Sequence, residues 1–490
     1  MTAPPAALSG VPGSGPLTRP FTSPRPASYA TIPRAPRLRD CRDHPLPPGP
    51  RPRLPGLLTL RFQRDTPRFL RGLRDEYGDA VSFVLAGQVF IGLFAPAMVH
   101  EVLVAQQSAF VKGVGFARMR KVLGEGLLTN EEPIHMRHRR MMQPPFQRSR
   151  LDGYATLMSD LAREHIATWR DGSVIALAPA MMRLTLLIVA QTLFGTDARH
   201  HTDRITESMD IAIDRIERTM LPGLDRLDSL PLPYWRAFHR AADDLSMIAE
   251  ELIAHRRGSM AGTPQGEPAD DLLGLLLALR DEDGSGFTDE EVRDEALTLI
   301  LSGHETTANA LTWAFSWLAG RPDLAAALRE EAASLPERIG VAEAMSASVA
   351  GQVVNESLRL APPVWVAPRR ALRDVTVAGV PIPAGAHVLV SQYVTHRDPL
   401  LYPQPDQWLP QRWSDGLITR LPKGAYFPFG AGSRKCLGDR FALVEARIIL
   451  LMAARHCSLS PADPRRPLPR AQPRATYRAL GAVPMRVSCQ

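Results

Sequence analysis

Among the four cysteines of this 490-residue chain, Cys436 has the neighbours that best suit metal binding. It follows Phe427-Pro428-Phe429-Gly430-Ala431-Gly432-Ser433-Arg434-Lys435 and precedes Leu437-Gly438, where a helical pattern begins. The thiolate is the ligand form of cysteine, and it is favoured near a helix N-terminus and beside Arg or Lys. Gly430 and Gly432 permit a tight bend and close approach of backbone to a flat ligand. Gly438 leaves room for contact. The loop reads as one that presents a single deprotonated sulfur to a planar metal cofactor. The plain alternative is a Gly-rich turn whose cysteine only packs.

A second group capable of chemistry is Ser302-Gly303-His304-Glu305-Thr306-Thr307. His304-Glu305 begins the zinc motif H-E-x-x-H, but the required second histidine is Ala308, so that motif fails. A threonine inside a helix bonds the carbonyl four residues back, here Ser302, and can distort the ladder locally. Its hydroxyl both donates and accepts, as a proton relay requires. The competing reading makes Thr306-Thr307 a back-bonded pair and Glu305 a surface charge. Further along, Glu356 and Arg359 are three apart and share a helix face; exposed, such a pair contributes about 0–1 kcal/mol.

Phe429, Gly432, Arg434, Cys436 and Gly438 fall on the spacing F-x-x-G-x-R-x-C-x-G, and on these residues the chain resembles the cytochrome P-450 family. The resemblance extends over residues 50 to 480. It implies haem b with Cys436 as axial ligand, the thiolate pushing electron density onto iron to favour O–O cleavage. It also implies Glu305-Thr306 as the acid–alcohol pair on the distal side, Thr306 relaying protons and Glu305 linking it to solvent. Glu356 and Arg359 become structural, joined by Arg412 of Pro410-Gln411-Arg412-Trp413. His135 and Arg139, spaced H-x-x-x-R, together with Arg369 and Arg434, are implied as partners of the haem carboxylates, which arginine can grip with two bonds. One departure stands at Ser302, where the family usually has Ala or Gly; its hydroxyl would alter water placement or meet the substrate.

Several elements must hold these residues. Thr288 and Glu291 form a capping box, and the helix it opens is expected to reach about Leu318, a length of about 45 Å. The apolar run from Ala296 to Ser302 predicts burial on all sides. Val81 to Leu85 and Val89 to Leu93 read as a hairpin. Helices are expected over 153–170, 178–195, 201–220, 235–257, 269–281 and 438–456, with a second β region over 375–391. The fold class is mainly α with a small β region: one domain, 51–490, holding haem between the long helix and the cysteine loop. Residues 1–50, rich in Pro, Ser, Ala and Arg, are expected to be a disordered tail. A substrate pocket is expected from the 110–128 loop, the 296–306 helix segment including Ser302, and Val364-Trp365-Val366.

Charged residues are 22% of the chain, which argues against wholesale disorder, and the net charge of +7 suits an acidic partner without selecting one. The cysteines form no C-x-x-C, so neither a zinc cage nor a disulfide framework is indicated, and a reducing cytoplasm fits. Cys41 and Cys489 are expected in tails. Leu184 to Phe194, the longest apolar stretch, is interrupted by Thr185, Gln191 and Thr192, too short for a membrane span.

The expected function is a monooxygenase inserting one atom of dioxygen into a lipophilic small molecule, a terpene or a fatty acid. No flavin or nicotinamide domain fits in the length, so electrons from NAD(P)H must arrive through a ferredoxin or flavodoxin with its reductase. Arg434, Lys435 and Arg440 are candidates for docking it. A monomer without nucleic acid is expected. The alternatives are a peroxide-driven peroxygenase and a non-enzymatic haem sensor.

Overall fold

The computed structural model describes residues 32–41, 45–51, 56–195, 202–218, 233–261, 271–281 and 284–489. Strands β1 (Ala80–Leu85) and β2 (Gln88–Leu93) form the expected hairpin, in register from Ala80↔Leu93 to Leu85↔Gln88. Its two-residue turn has positive φ at Ala86 and Gly87, the backbone twist that matches paired strands. β3 (Phe110–Lys112), β5 (Ala367–Ala371) and β8 (His387–Val390) complete a five-stranded sheet in the order β1-β2-β8-β5-β3. A small hairpin, β6 (Val375–Val377) and β7 (Val380–Ile382), lies within the second β region expected from sequence.

The expected tail is corrected from Pro33 onward. Val89 donates to Pro36 O and Ser82 to Pro48 O, both at 3.0 Å, and Cys41 is buried with Val89 and Ile91 in the core of the sheet. Residues 1–31 and 42–44 lie outside the described residues.

Helices fill most of the chain: α1 (Ile134–Met142), α2 (Arg148–Ala167), α3 (Leu177–Phe194), α4 (Thr202–Arg218), α5 (Pro233–Ala261), α6 (Asp289–Leu318), α7 (Ser348–Leu360) and α8 (Asp439–His456). The pattern expected over 269–281 shortens to Leu272–Ala278, because Asp271 caps it and Leu279 is extended. In α6 both halves of the capping box form: Glu291 N to Thr288 Oγ1 at 3.2 Å and Thr288 N to Glu291 Oε2 at 2.8 Å. α6 packs against α3, α5, α7 and α8. A Cβ on Gly303 would lie 2.8 Å from Val189 Cγ2, so the glycine allows α3 to approach the middle of α6. β4 (Val174–Ala176), β9 (Cys457–Pro461) and β12 (Pro484–Cys489) form a separate sheet in the order β4-β12-β9, and β10 (Ala471–Pro473) pairs with β11 (Tyr477–Ala479). Among the described residues, no helix is long and apolar enough to cross a membrane.

Candidate active site

Glu356 and Arg359, one turn apart on α7, are both buried, not the exposed pair that local spacing alone would allow. Arg359 donates to both carboxylate oxygens at 2.8 Å. Glu356 also accepts from Arg412 Nε at 3.0 Å, Trp413 Nε1 at 2.9 Å and Leu409 N at 2.8 Å. Burial alone would raise its pKa, but Arg359, the Leu409 N–H and Arg412 together hold it below the usual carboxylate range. Arg359 Nη1 in turn donates to His396 O at 2.8 Å, and Phe427 N donates to His396 Nε2 at 3.0 Å. The triad therefore fixes the chain at the first residue of the cysteine loop.

Inside that loop, Gly430 N donates to Phe427 O and Cys436 N to Phe429 O, each at 2.9 Å. Gly432 has φ +72°, and a Cβ there would lie 2.0 Å from Leu103 O, so only glycine fits. At Gly438 an added Cβ meets only the Phe146 ring at 3.6 Å, an ordinary contact, so the protein's own packing does not demand glycine there. Phe429 and Leu437 pack against the main core.

Cys436 is accessible, yet burial dominates its proton affinity. Burial pushes the thiol up to about 11, against the opposing pull of the Gly438 N–H, Arg139 and Lys435. A metal ion bound at the sulfur would displace that proton.

The expected cations lie close together: Arg434 and Arg139 both act on His135, and Arg434 on Arg369. Arg434 Nη2 pairs with Glu131, while its Nη1 is buried without a partner. Arg369 is near enough for Arg434 to lower its pKa, which burial brings down to about 10. Arg370, its neighbour, points away to Pro33 O, as alternation along a strand requires. His135 Nδ1 donates to Glu132 Oε1 at 3.0 Å, and burial followed by Lys112, Arg434 and Arg139 lowers its pKa to about 3. Lys112, which the sequence did not single out, is buried with Nζ donating to Leu127 O at 3.0 Å and Asn130 O at 2.6 Å. Arg139 Nη1 donates to Lys435 O at 2.7 Å, and its charge acts on both His135 and Cys436. Lys112, Arg369 and Arg434 gather around Glu131, with Glu295 also near Lys112, and one guanidinium N–H of Arg434 is buried without a partner. Such a site calls for anionic groups, and a haem, with two carboxylates and an iron for Cys436, fits these residues.

Across from the loop, α6 is an unbroken helix through 302–307 despite the expected distortion. Ser302, Gly303 and Thr306 are accessible in a stretch otherwise buried, and their spacing puts Ser302 and Thr306 on one face. Thr306 Oγ1 donates to Ser302 O at 2.8 Å, and Ser302 Oγ to Thr298 O at 2.6 Å. Glu305 does not lead to solvent. One residue along, about 100° around the helix, it is buried and accepts from Thr476 Oγ1 at 2.6 Å, while Asn309 Nδ2 donates to Thr476 Oγ1 at 3.2 Å. Burial raises its pKa, opposed by Thr476, Arg478 and Asn309. Thr476 lies between β10 and β11 and had no local signal in the sequence.

The Val364-Trp365-Val366 segment divides. Val364 is exposed. Trp365 is buried with Leu70, Phe83 and Tyr393, with Val366 packed on the same cluster, and its Nε1 donates to Arg474 O at 2.8 Å. Trp365 thus anchors the β10–β11 hairpin and is removed from the expected pocket lining.

Comparison with known proteins agrees with this geometry. The model of the family described as Cytochrome P450 matches residues 45–479. Cyclooctatin synthase of Streptomyces melanosporofaciens is 32% identical over 431 residues, 87% of this chain and 92% of that protein. Cyclooctat-9-en-7-ol 5-monooxygenase of the same organism is 34% identical over 407 residues, 82% and 87% respectively. Pentalenene oxygenase of Streptomyces avermitilis is 33% identical over 361 residues, 72% of this chain and 78% of that protein.

Proposed function

The chain belongs to the cytochrome P450 family, and from that premise we propose that it is a monooxygenase that hydroxylates a terpene-type hydrocarbon skeleton. The haem supplies the redox-active iron on which dioxygen is activated. Cys436 would hold the iron through its sulfur, on the loop that the Glu356–Arg359–Arg412 triad fixes. Lys112, Arg369, Arg434 and His135 hold its carboxylates. Thr306 Oγ1 would hold and pass a proton, and Ser302 beside it would order a water or touch substrate. Glu305, buried against Thr476, positions the hairpin rather than feeding protons directly.

The observation that carries the reading is an exposed Cys436 in a loop pinned by a buried triad, with the buried, unpartnered Nη1 of Arg434 two residues away. The relatives named for cyclooctat-9-en-7-ol and pentalenene support a terpene substrate over a fatty acid. Two electrons per turnover come from NAD(P)H through a separate ferredoxin or flavodoxin. The test is a ferrous–CO difference spectrum of purified protein: a thiolate-type long-wavelength Soret band is expected, lost in Cys436→Ala. Turnover of terpenes with NAD(P)H and redox partners follows. Equal rates with hydrogen peroxide alone would replace the monooxygenase reading with a peroxygenase.

A further inference from the structure

The register of the three-stranded sheet sets Cys457, first residue of β9, directly opposite Cys489, last residue of β12. The donors show which kind of pair this is. Cys489 N bonds Asp171 Oδ1 at 2.9 Å and Val487 N bonds Ser173 O at 2.9 Å, both on the edge of β12 away from β9. On the β9 side, Met485, Val487 and Cys489 therefore occupy non-hydrogen-bonded positions, consistent with Pro461, which has no N–H, facing Met485. Directly opposed residues of that kind have Cα atoms about 4.5 Å apart with side chains on one face. That lies at the short end of the range of about 4.4–6.8 Å that a disulfide bridges.

We propose that Cys457 and Cys489 are a thiol–disulfide redox pair, closed by hydrogen peroxide or another peroxide-class oxidant and reopened by a thiol reductant. Cys489 is exposed and Cys457 buried, so peroxide meets Cys489 first. Burial, followed by the neighbouring Cys489, pushes the Cys457 thiol up to about 12, so Cys457 is the less reactive of the two toward peroxide. The Cys489 sulfur attacks peroxide, the O–O bond breaks, one oxygen stays on sulfur as a sulfenic acid and the other leaves as water. The Cys457 sulfur then attacks the Cys489 sulfur, the S–O bond breaks, and the departing hydroxyl takes the Cys457 proton to leave as a second water. Two thiols and one peroxide thus give one disulfide and two waters. Cys41, buried in the core of the other sheet, is no competitor.

The bridge would tie the end of β12 to the C-terminal end of α8, the helix that begins after the cysteine loop. The test needs no folding variant. Haem-loaded protein is treated with a slight excess of hydrogen peroxide, remaining thiols are blocked with N-ethylmaleimide, and the protein is digested without reductant. A peptide pair joined through Cys457 and Cys489, released by dithiothreitol, is expected. Recovery of Cys489 as a maleimide adduct, as an over-oxidised acid beside an intact Cys457, or as an intermolecular dimer overturns the proposal. In Cys457→Ser, the Cys489 sulfenic acid should go on to over-oxidised or intermolecular products; a product spectrum identical to that of the unaltered chain would equally overturn it.

Discussion

Adjacent residues on one helix can serve opposite sides of a site, and Glu305 and Thr306 do so. Thr306 is accessible on the same face as Ser302, whereas Glu305 turns to Thr476. Thr306→Ala should therefore leave haem content and substrate binding intact while product formed per NAD(P)H falls at least about ten-fold, since positioned proton transfer contributes about 10²–10⁴-fold. Unchanged coupling would remove Thr306 from the relay. Lys112 gives a proton-balance prediction. Burial, then Arg434, lowers it to about 7, below its value of about 10.4 in an unfolded chain. Between those values the unfolded chain binds more protons, so this group makes stability of the haem-free protein rise with pH. Carboxylates placed beside Lys112 restore its ammonium, so haem binding takes up a proton there and weakens as pH rises above 7. Calorimetric titration of haemin in buffers of different ionisation heat should show Lys112→Met losing uptake of about one proton at pH 8. Equal balances for the two proteins would place Lys112 away from the cofactor.

Elements hold the site by ending where buried polar groups fix them. α7 ends one residue after Arg359, whose guanidinium bonds Glu356 and the carbonyls of His396, Pro405 and Gln407. Arg359→Ala leaves the Glu356 carboxylate buried with one cation fewer, at a cost of about 3–5 kcal/mol; urea unfolding should show this loss, with haem retention falling alongside. Thr476→Val removes the donor to Glu305 and should cost about 1–3 kcal/mol, with a Tm drop but a ferrous–CO spectrum unchanged. Much of this scale was legible in the chain. The capping box at Thr288 is a local pattern and forms as its spacing put it, whereas the apolar run of α6, expected buried on all sides, ends in an exposed Ser302. What was not legible depends on contacts far apart in sequence. Nothing near Lys112 announces that it meets Glu131 and Arg434, and the turn of Glu305 toward Thr476 depends on a hairpin 171 residues away. The same limit hid that His138 bridges α1 to Glu295 and Glu291 on α6; burial lowers this imidazole, but the two carboxylates hold it above its usual pKa.

At the scale of the whole molecule, a charge of +7 says nothing of which cations reach an electron donor, and burial decides that. Arg434, expected as a docking residue, is spent on Glu131 inside the protein. Lys435 remains half exposed, although paired with Asp439 at 2.5 Å, and Arg440 is exposed at the start of α8, four residues beyond Cys436. An acidic donor docking on this face would sense Arg440 through water. A unit charge about 10 Å away contributes about 0.4 kcal/mol at the dielectric constant of water. Reversing it in Arg440→Glu changes the interaction by about 0.8 kcal/mol, roughly a four-fold slower association at low salt. Screening shortens the reach of such charges to about 10 Å at 0.1 M ionic strength, so the two proteins should converge as salt is added. Stopped-flow reduction by an acidic ferredoxin across an ionic-strength series measures this directly. If the variant is reduced as fast as the unaltered chain at the lowest salt, the donor docks on another face. If it is slower by the same factor at every salt concentration, the substitution has disturbed the cysteine loop instead of the encounter.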